Sequence, residues 1–129
     1  MAVNVGDQIP ELRVTPDKYL PHRYAGASGD FNPIHIDDEF AKAVGLPRNI
    51  LHGLYSMGLV ARANTALADG DPRALKRLSV QMRGMGFPEQ EIAVTGTVKS
   101  AEDGRVVIDT VAAQGETAII KNAEAEVEV

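Results

Sequence analysis

The stretch LHGLYSMGLVA, residues 51–61, contains no formally charged side chain when histidine is counted as neutral. Large apolar residues alternate with small ones over this stretch, and a segment that is apolar on nearly all sides is typical of a helix buried in a core. Glycines inside a helix cost roughly 1 kcal/mol each relative to alanine, so packing or function must compensate for the two found here. We expect the helix to begin to emerge into solvent at Arg62 and Asn64, and we interpret Ser56 as a packing residue.

A period of two residues replaces the helical pattern after residue 77. Apolar and polar side chains alternate over residues 78–82, 92–99 and 122–129, which predicts strands with one solvated face. A fourth strand is predicted over residues 105–113, joined to the second by the turn Glu102-Asp103-Gly104. Because the helices precede the strands, we expect an α+β fold in which a curved antiparallel meander wraps one long apolar helix.

Two short helices are predicted before the apolar stretch. The first begins either at Thr15-Pro16-Asp17 or at Pro21, since proline is favoured in the first turn of a helix. The second begins with the acidic residues 37–39, which suit the positive end of the helix dipole, and Gly45 is placed to end it.

The composition limits the classes of protein and partner. A chain of 129 residues without cysteine is expected to form one domain over residues 1–129, with no disulfide and no thiolate metal site. A net charge of −5 and 5% aromatic residues argue against a nucleic-acid partner. The first residues lack the basic and apolar regions of a secretory signal, and no segment has the length of a membrane span. We therefore expect a cytoplasmic protein with no membrane partner.

The stretch SGDFNPIH, residues 28–35, combines an acid and an imidazole on a bent segment. Proline fixes its own φ angle and moves Asn32 out of the helical region. The amide of Asn32 is expected to brace the bend in an Asx-type turn. Asp30 and His35 are then free for chemistry, and an imidazole exchanges protons near neutral pH.

Several motifs together resemble the MaoC-like family of (R)-specific enoyl-CoA hydratases and β-hydroxyacyl-ACP dehydratases, of the hydratase 2 type. The resemblance is strongest over residues 24–62 and extends weakly to both ends of the chain. It implies the hot-dog fold, in which an antiparallel sheet wraps a long helix, and the reversible hydration of trans-2-enoyl thioesters carried on CoA or acyl carrier protein. We expect no cofactor and no metal, because hydration needs no metal, flavin or nicotinamide and the sequence has no glycine-rich nucleotide fingerprint. The motifs are residues 28–35, Asp37, Phe40-Ala41, Gly45 and Ile50-Leu51-His52-Gly53-Leu54.

The same resemblance implies roles for individual residues. Asp30 and His35 correspond to the catalytic pair, and Gly53 corresponds to the residue whose amide binds the thioester oxygen, with His52 and Asn32 beside the substrate. Hydration needs a base for water, an acid for C2 and stabilisation of the enolate oxygen. A helix N-terminus at Gly53 would supply free amides, and the absence of a side chain lets an oxygen approach. Which member of the pair takes the proton stays open.

Two other functions fit the same residues. A hot-dog thioesterase would use a carboxylate to activate water at the thioester carbonyl. A non-enzymatic subunit would bind acyl thioesters beside a second, related chain. We expect a homodimer or a heterodimer joined edge to edge, since this pairing covers exposed strand edges.

Three further features bear on the substrate. Arg73, Lys76, Arg77 and Arg83 are either a solvated basic face or a contact for the phosphates of CoA or an acidic carrier protein. Tyr55 is bulkier than the residue that relatives commonly carry there, and residues 86–91 lack the usual Pro-Val run. Both departures concern the shape of the acyl pocket.

Overall fold

A computed structural model describes residues 2–129 of the protein. The helices are α1 (Leu20–Ser28), α2 (Pro33–Ile36), α3 (Asp38–Ala43) and α4 (Gly53–Thr65), followed by two short 3-10 turns at Ala66–Ala68 and Pro72–Ala74. The strands are β1 (Leu12–Val14), β2 (Leu75–Met82), β3 (Ile92–Glu102), β4 (Arg105–Gln114) and β5 (Thr117–Glu128). None of the helices in this part of the chain is long and apolar enough to cross a membrane.

The five strands form one antiparallel sheet in the order β1-β3-β4-β5-β2. Helix α4 packs against four of them, β2 to β5. The side chains between helix and sheet are aliphatic and fully buried, and they include Val60, Ile92, Ile108, Ile120 and Val127. One long helix on an antiparallel sheet is the α+β arrangement that the sequence predicts.

The predicted hairpin between the second and fourth of the expected strands is confirmed as the β3–β4 turn. Asp103 and Gly104 have φ angles of 52° and 76°. Two consecutive positive φ angles suit a two-residue hairpin turn whose twist matches that of the strands, and Asp-Gly is a preferred sequence for it. Glu102 and Arg105 therefore face each other directly across the turn.

The strand order differs from a simple meander. Only β3, β4 and β5 are consecutive neighbours, whereas β2 lies beyond β5 at one edge of the sheet. Residues 83–91 must therefore carry the chain from that edge to β3. Strand β1, at the other edge, was not predicted, because three residues are too few to show an alternating pattern.

The apolar stretch forms α4 as predicted, but the expected emergence at Asn64 is wrong. Asn64 is 0% exposed, and its amide donates to the carbonyl oxygen of Val60 at 2.9 Å. The hydroxyl of Thr110 donates to the amide oxygen of Asn64 at 3.1 Å. These bonds let a polar side chain lie in the core. Leu54, in contrast, is 65% exposed, so the solvated side of the helix includes apolar residues.

The two short helices follow the predicted signals. Pro21 lies in the first turn of α1, so the second of the two proposed starts is the one observed. The carboxylate of Asp37 accepts from the amide of Phe40 at 3.1 Å and caps α3. Gly45 follows the end of α3 with a φ angle of 97°, a conformation that glycine adopts without strain.

Candidate active site

The loop that carries Asp30 begins where α1 ends. Gly29 adopts a φ angle of 80°, and its amide donates to the carbonyl oxygen of Ala25 at 2.8 Å. This left-handed residue is a common way to end a helix, and glycine avoids the steric cost of a side chain there. The amide of Asp30 then donates to the hydroxyl of Ser28 at 3.2 Å. The chain turns sharply, and Asp30 is placed next to α2.

Asn32 braces the bend as predicted. Its φ and ψ angles are −54° and 127°, outside the helical region, and its side-chain oxygen accepts from the amide of Ile34 at 3.2 Å. Its own amide donates to a carboxylate oxygen of Asp30 at 3.1 Å. Pro33 starts the single turn of α2 that presents His35. A contact between Asn32 and substrate stays a prediction.

The imidazole of His35 is fixed in one tautomer by its surroundings. Its Nδ1 lies 2.9 Å from the carbonyl oxygen of Ile50, and because a carbonyl can only accept, Nδ1 carries the proton. The Nε2 atom of the neutral ring therefore has a free lone pair, 3.8 Å from the Oδ2 atom of Asp30. This distance is too long for a direct hydrogen bond, and both atoms are acceptors. A water molecule between them can donate one hydrogen to each.

The two members of the pair differ in exposure. The Asp30 side chain is 53% exposed and that of His35 is 10% exposed. Water can therefore reach the pair from the side of Asp30, while the imidazole is held against the protein interior.

Asn49 anchors the backbone of His35, a role that no sequence motif had indicated. The buried amide of Asn49 donates to the carbonyl oxygen of His35 at 2.8 Å. The backbone amide of Asn49 donates to Asp38 at 3.0 Å, and the guanidinium of Arg48 contacts the side-chain oxygen of Asn49. Lys42 and then the amide of Asn49 lower the pKa of the Asp38 carboxyl. Asp38 thus remains a charged acceptor for this anchor.

We predict that Asn49→Ala lowers the free energy of unfolding by about 1–3 kcal/mol, because the carbonyl oxygen of His35 loses its partner in a buried position. The turnover number should fall too, since the imidazole loses its support. Chemical denaturation and steady-state kinetics measure the two effects. Asn4→Ala, at an exposed position, is the control and should change neither. An unchanged free energy of unfolding in Asn49→Ala would contradict the proposed anchor.

His52 connects the Asp30 loop to the start of α4. It is the N-cap residue of this helix, and its buried Nε2 atom donates to the carbonyl oxygen of Asp30 at 3.0 Å. Its ring stacks on that of His35, with centroids 3.9 Å apart and an angle of 20° between the planes. The ring of Tyr24 also packs against that of His52, with centroids 4.7 Å apart and an angle of 49° between the planes. The Nδ1 atom of His52 is buried and has no hydrogen-bond partner within residues 2–129. His52 therefore serves to position both members of the pair.

Asp30, His35 and His52 could each offer one ligand atom to a metal, with these atoms within 4.8 Å of one another. The stacking of the two rings disfavours this use. A metal ion about 2.1 Å from a nitrogen of each ring must lie close to the plane of both rings. Two nearly parallel stacked rings direct their lone pairs along separate planes instead. The arrangement fits a water molecule shared by Asp30 and His35 better than a metal.

Gly53 is the first residue of α4. No acceptor in the described part of the chain pairs with its amide or with that of Leu54, as expected for the first turn of a helix. Gly53 and His35 both line a cavity of about 150 Å³. Most of the remaining lining is apolar and includes Leu51, Met82, Met85, Gly86, Ile119 and Ile120.

Of the two departures from the family pattern, Tyr55 does not line the cavity, whereas part of residues 86–91 does. Tyr55 packs edge-on against Tyr24 at 5.9 Å and is not part of the lining, and burial raises the pKa of its hydroxyl. Its bulk therefore does not shape the cavity. Within residues 86–91, Gly86 does line the cavity.

Two of the basic residues pair with acids. Arg73 pairs with Asp71 at 3.1 Å, and Arg77 lies 3.8 Å from Glu124. Arg83 directly follows β2, between two residues that line the cavity. It is therefore the member of the group closest to the candidate site along the chain.

The family described as "MaoC like domain" matches residues 5–119 of this chain. The chain belongs to this family. The MaoC-like domain is 38% identical over 97 residues to peroxisomal enoyl-CoA hydratase 2 of Arabidopsis thaliana, a match that covers 71% of this chain and 30% of that protein. The chain thus spans less than a third of the length of this curated relative.

Solved structures agree with the family assignment. A structure named MaoC-like dehydratase has a TM-score of 0.91 and 32% identity, and the match covers 98% of this chain and 40% of that one. A chain of the ChsH1–ChsH2 complex from Mycobacterium tuberculosis has a TM-score of 0.87 and 25% identity, with 100% and 99% of the two chains covered. The MaoC-like domain has the hot-dog fold that the sequence resemblance implies.

Proposed function

We propose that this chain catalyses the reversible hydration of trans-2-enoyl thioesters to (R)-3-hydroxyacyl thioesters. The observation that carries the proposal is the free lone pair of His35, 3.8 Å from the Asp30 carboxylate, in a residue that lines the same cavity as Gly53. The similarity to an enoyl-CoA hydratase 2 supports this chemistry and favours CoA as the carrier.

In the proposed reaction a water molecule lies between the Nε2 atom of His35 and the carboxylate of Asp30. His35 accepts one proton of this water, while Asp30 orients it by accepting the other hydrogen. The oxygen bonds to C3, and the electrons of the double bond move towards the thioester oxygen, where the Gly53 amide stabilises the negative charge. Transfer of the proton from His35 to C2 completes the addition of water.

The direct test is an assay with crotonyl-CoA, longer enoyl-CoAs and the matching enoyl-ACPs. We expect the absorbance of the conjugated enoyl thioester to fall, with formation of the (R)-3-hydroxyacyl product and no free thiol. Release of thiol would instead indicate the thioesterase. If no substrate of either series reacted, hydration by this chain alone would be excluded, and activity restored by a second subunit would identify the binding-subunit alternative.

We further propose that residues 1–129 act as one domain within a dimer. Within residues 2–129 strand β2 pairs only with β5, which leaves its other edge unpaired there, and Met82 at its end is 48% exposed. A β-carbon on Gly53 would lie 3.4 Å from the sulfur of Met82, so this edge adjoins the candidate site. Pairing of two such edges would cover their unpaired amides and carbonyls. The cytoplasmic location stays a prediction.

Light scattering tests the oligomeric state. We expect a mass of about twice the chain mass of 13.8 kDa for a homodimer. A monomer would contradict the homodimer and favour a heterodimer with a related hot-dog chain, which the similarity to a chain of a two-protein complex also permits.

A further inference from the structure

Ser56 lies one turn into α4, three residues after Gly53. It is only 4% exposed, yet it lines the cavity that His35 and Gly53 share. Residues three apart on a helix lie on the same face. The sequence suggested a packing role for Ser56, but a polar side chain at the wall of an apolar cavity needs a different explanation.

The hydroxyl of Ser56 has no hydrogen-bond partner among residues 2–129, which sets it apart from the other buried polar side chains of α4. Asn64 donates to the carbonyl oxygen of Val60, and Thr65 donates to that of Arg62. In contrast to the unpaired Nδ1 atom of His52, the oxygen of Ser56 is not fully enclosed, and Ser56 lines the cavity. A buried hydroxyl without a partner is unfavourable unless something else pairs with it.

The direction of the side chain suggests which group that is. Side chains on an α-helix lean towards its N-terminus, so the hydroxyl of Ser56 is directed towards the turn that begins at Gly53. The free amide of Gly53 is at the same end. The hydroxyl of Ser56 and the amide of Gly53 are therefore at the same end of α4, and both residues line the cavity.

We propose that the Ser56 hydroxyl is a second donor to the thioester oxygen, beside the Gly53 amide. This inference rests on the proposed function and adds a substrate-binding residue to it. The hydroxyl pairs with the carbonyl oxygen in the ground state and more strongly with the enolate oxygen, where negative charge develops. Ser56 thereby makes the cavity selective for a thioester over an equally apolar ligand that lacks the oxygen.

A binding experiment isolates the contact. Butyryl-CoA cannot be hydrated and has the thioester oxygen, whereas S-butyl-CoA is a thioether without it. We expect Ser56→Ala to weaken butyryl-CoA binding by about 3- to 10-fold, the range of one neutral hydrogen bond, and to leave S-butyl-CoA binding unchanged. Calorimetry measures both. Equal weakening of both ligands, or of neither, would overturn the inference.

Kinetics of a matched pair give a second test. Ser56→Thr and Ser56→Val have the same shape, but only threonine keeps the hydroxyl. The ratio of their kcat/KM values for crotonyl-CoA should be at least ~10 in favour of threonine, since one oxyanion donor contributes up to 10² to 10³. Ser100→Ala, a loss of hydroxyl on β3, should leave kcat/KM unchanged.

The two proposals fail separately. If Ser56→Val equalled Ser56→Thr in an active enzyme, Ser56 would not be a donor, while the hydratase proposal would stand. If the wild-type chain bound butyryl-CoA with the expected dependence on Ser56 but hydrated nothing, the thioester contact would stand and the hydratase proposal would fail.

Discussion

Asp30→Asn and His35→Asn should each lower kcat for enoyl-CoA hydration by at least ~10², because a positioned acid or base contributes 10² to 10⁴. We expect both changes to leave the local hydrogen bonds in place. Asparagine at 30 keeps the oxygen that accepts from the amide of Asn32 at 3.1 Å. Asparagine at 35 offers an amide near the position of Nδ1, which can still donate to Ile50, but it has no equivalent of Nε2. Steady-state kinetics with denaturation curves separate lost chemistry from lost folding.

The double variant tests whether the pair acts on one water. If it does, Asp30→Asn combined with His35→Asn should be little slower than the slower single variant, because the second change removes a partner that no longer functions. Multiplication of the two losses would mean that the residues act in separate steps. Asp103→Asn, at the exposed tip of the β3–β4 hairpin, is the charge-matched control and should keep full activity. Near-normal turnover in either single variant would remove that residue from the proposed mechanism.

Gly53→Ala should keep or raise stability and yet lower kcat/KM by about 10² to 10³, the loss expected when a substrate oxygen is displaced from an oxyanion donor. The added methyl would lie 3.4 Å from the sulfur of Met82, an ordinary contact with a flexible side chain. The amide of residue 53 remains, and alanine favours the helix by up to about 1 kcal/mol. Because Met82 lines the cavity, the methyl enters the space that the thioester needs.

Gly58→Ala is the matched control on the same helix. Apart from its chain neighbours and the adjacent backbone of the same helix, no described atom lies within 4 Å of the position its methyl would take, and the residue is exposed. We expect a gain of up to about 1 kcal/mol in the free energy of unfolding with unchanged kcat/KM. Thermal denaturation and kinetics on both variants give the comparison. Lost stability with intact catalysis in Gly53→Ala would show that Gly53 serves packing against Met82, and its amide would have no direct part in catalysis.

The features predicted correctly from the sequence depend on neighbouring residues. The two-residue period over residues 92–99 marks a strand because successive side chains point to opposite faces, and Asp103-Gly104 marks a hairpin because few residues accept positive φ angles. Pro33 and Asn32 likewise define the bend that presents His35, since ring geometry and a short amide act within two or three positions. The bend also brings Asp30 and His35 close together in space, with 3.8 Å between their side chains.

Features that depend on residues far apart in the chain were not predicted and are seen only in the folded protein. A strand pattern shows which face is apolar but not which strand lies alongside, so the pairing of β2 with β5 was not predictable. The carbonyl oxygen of Ile50 fixes the tautomer of His35 from fifteen residues away, and Asn49 supports it from a similar separation. Asn64 of α4 is buried because Thr110 of β4 supplies a hydrogen-bond partner for its side chain. Burial and hydrogen bonding between distant segments arise only when the chain is folded, so they cannot be predicted from local sequence patterns.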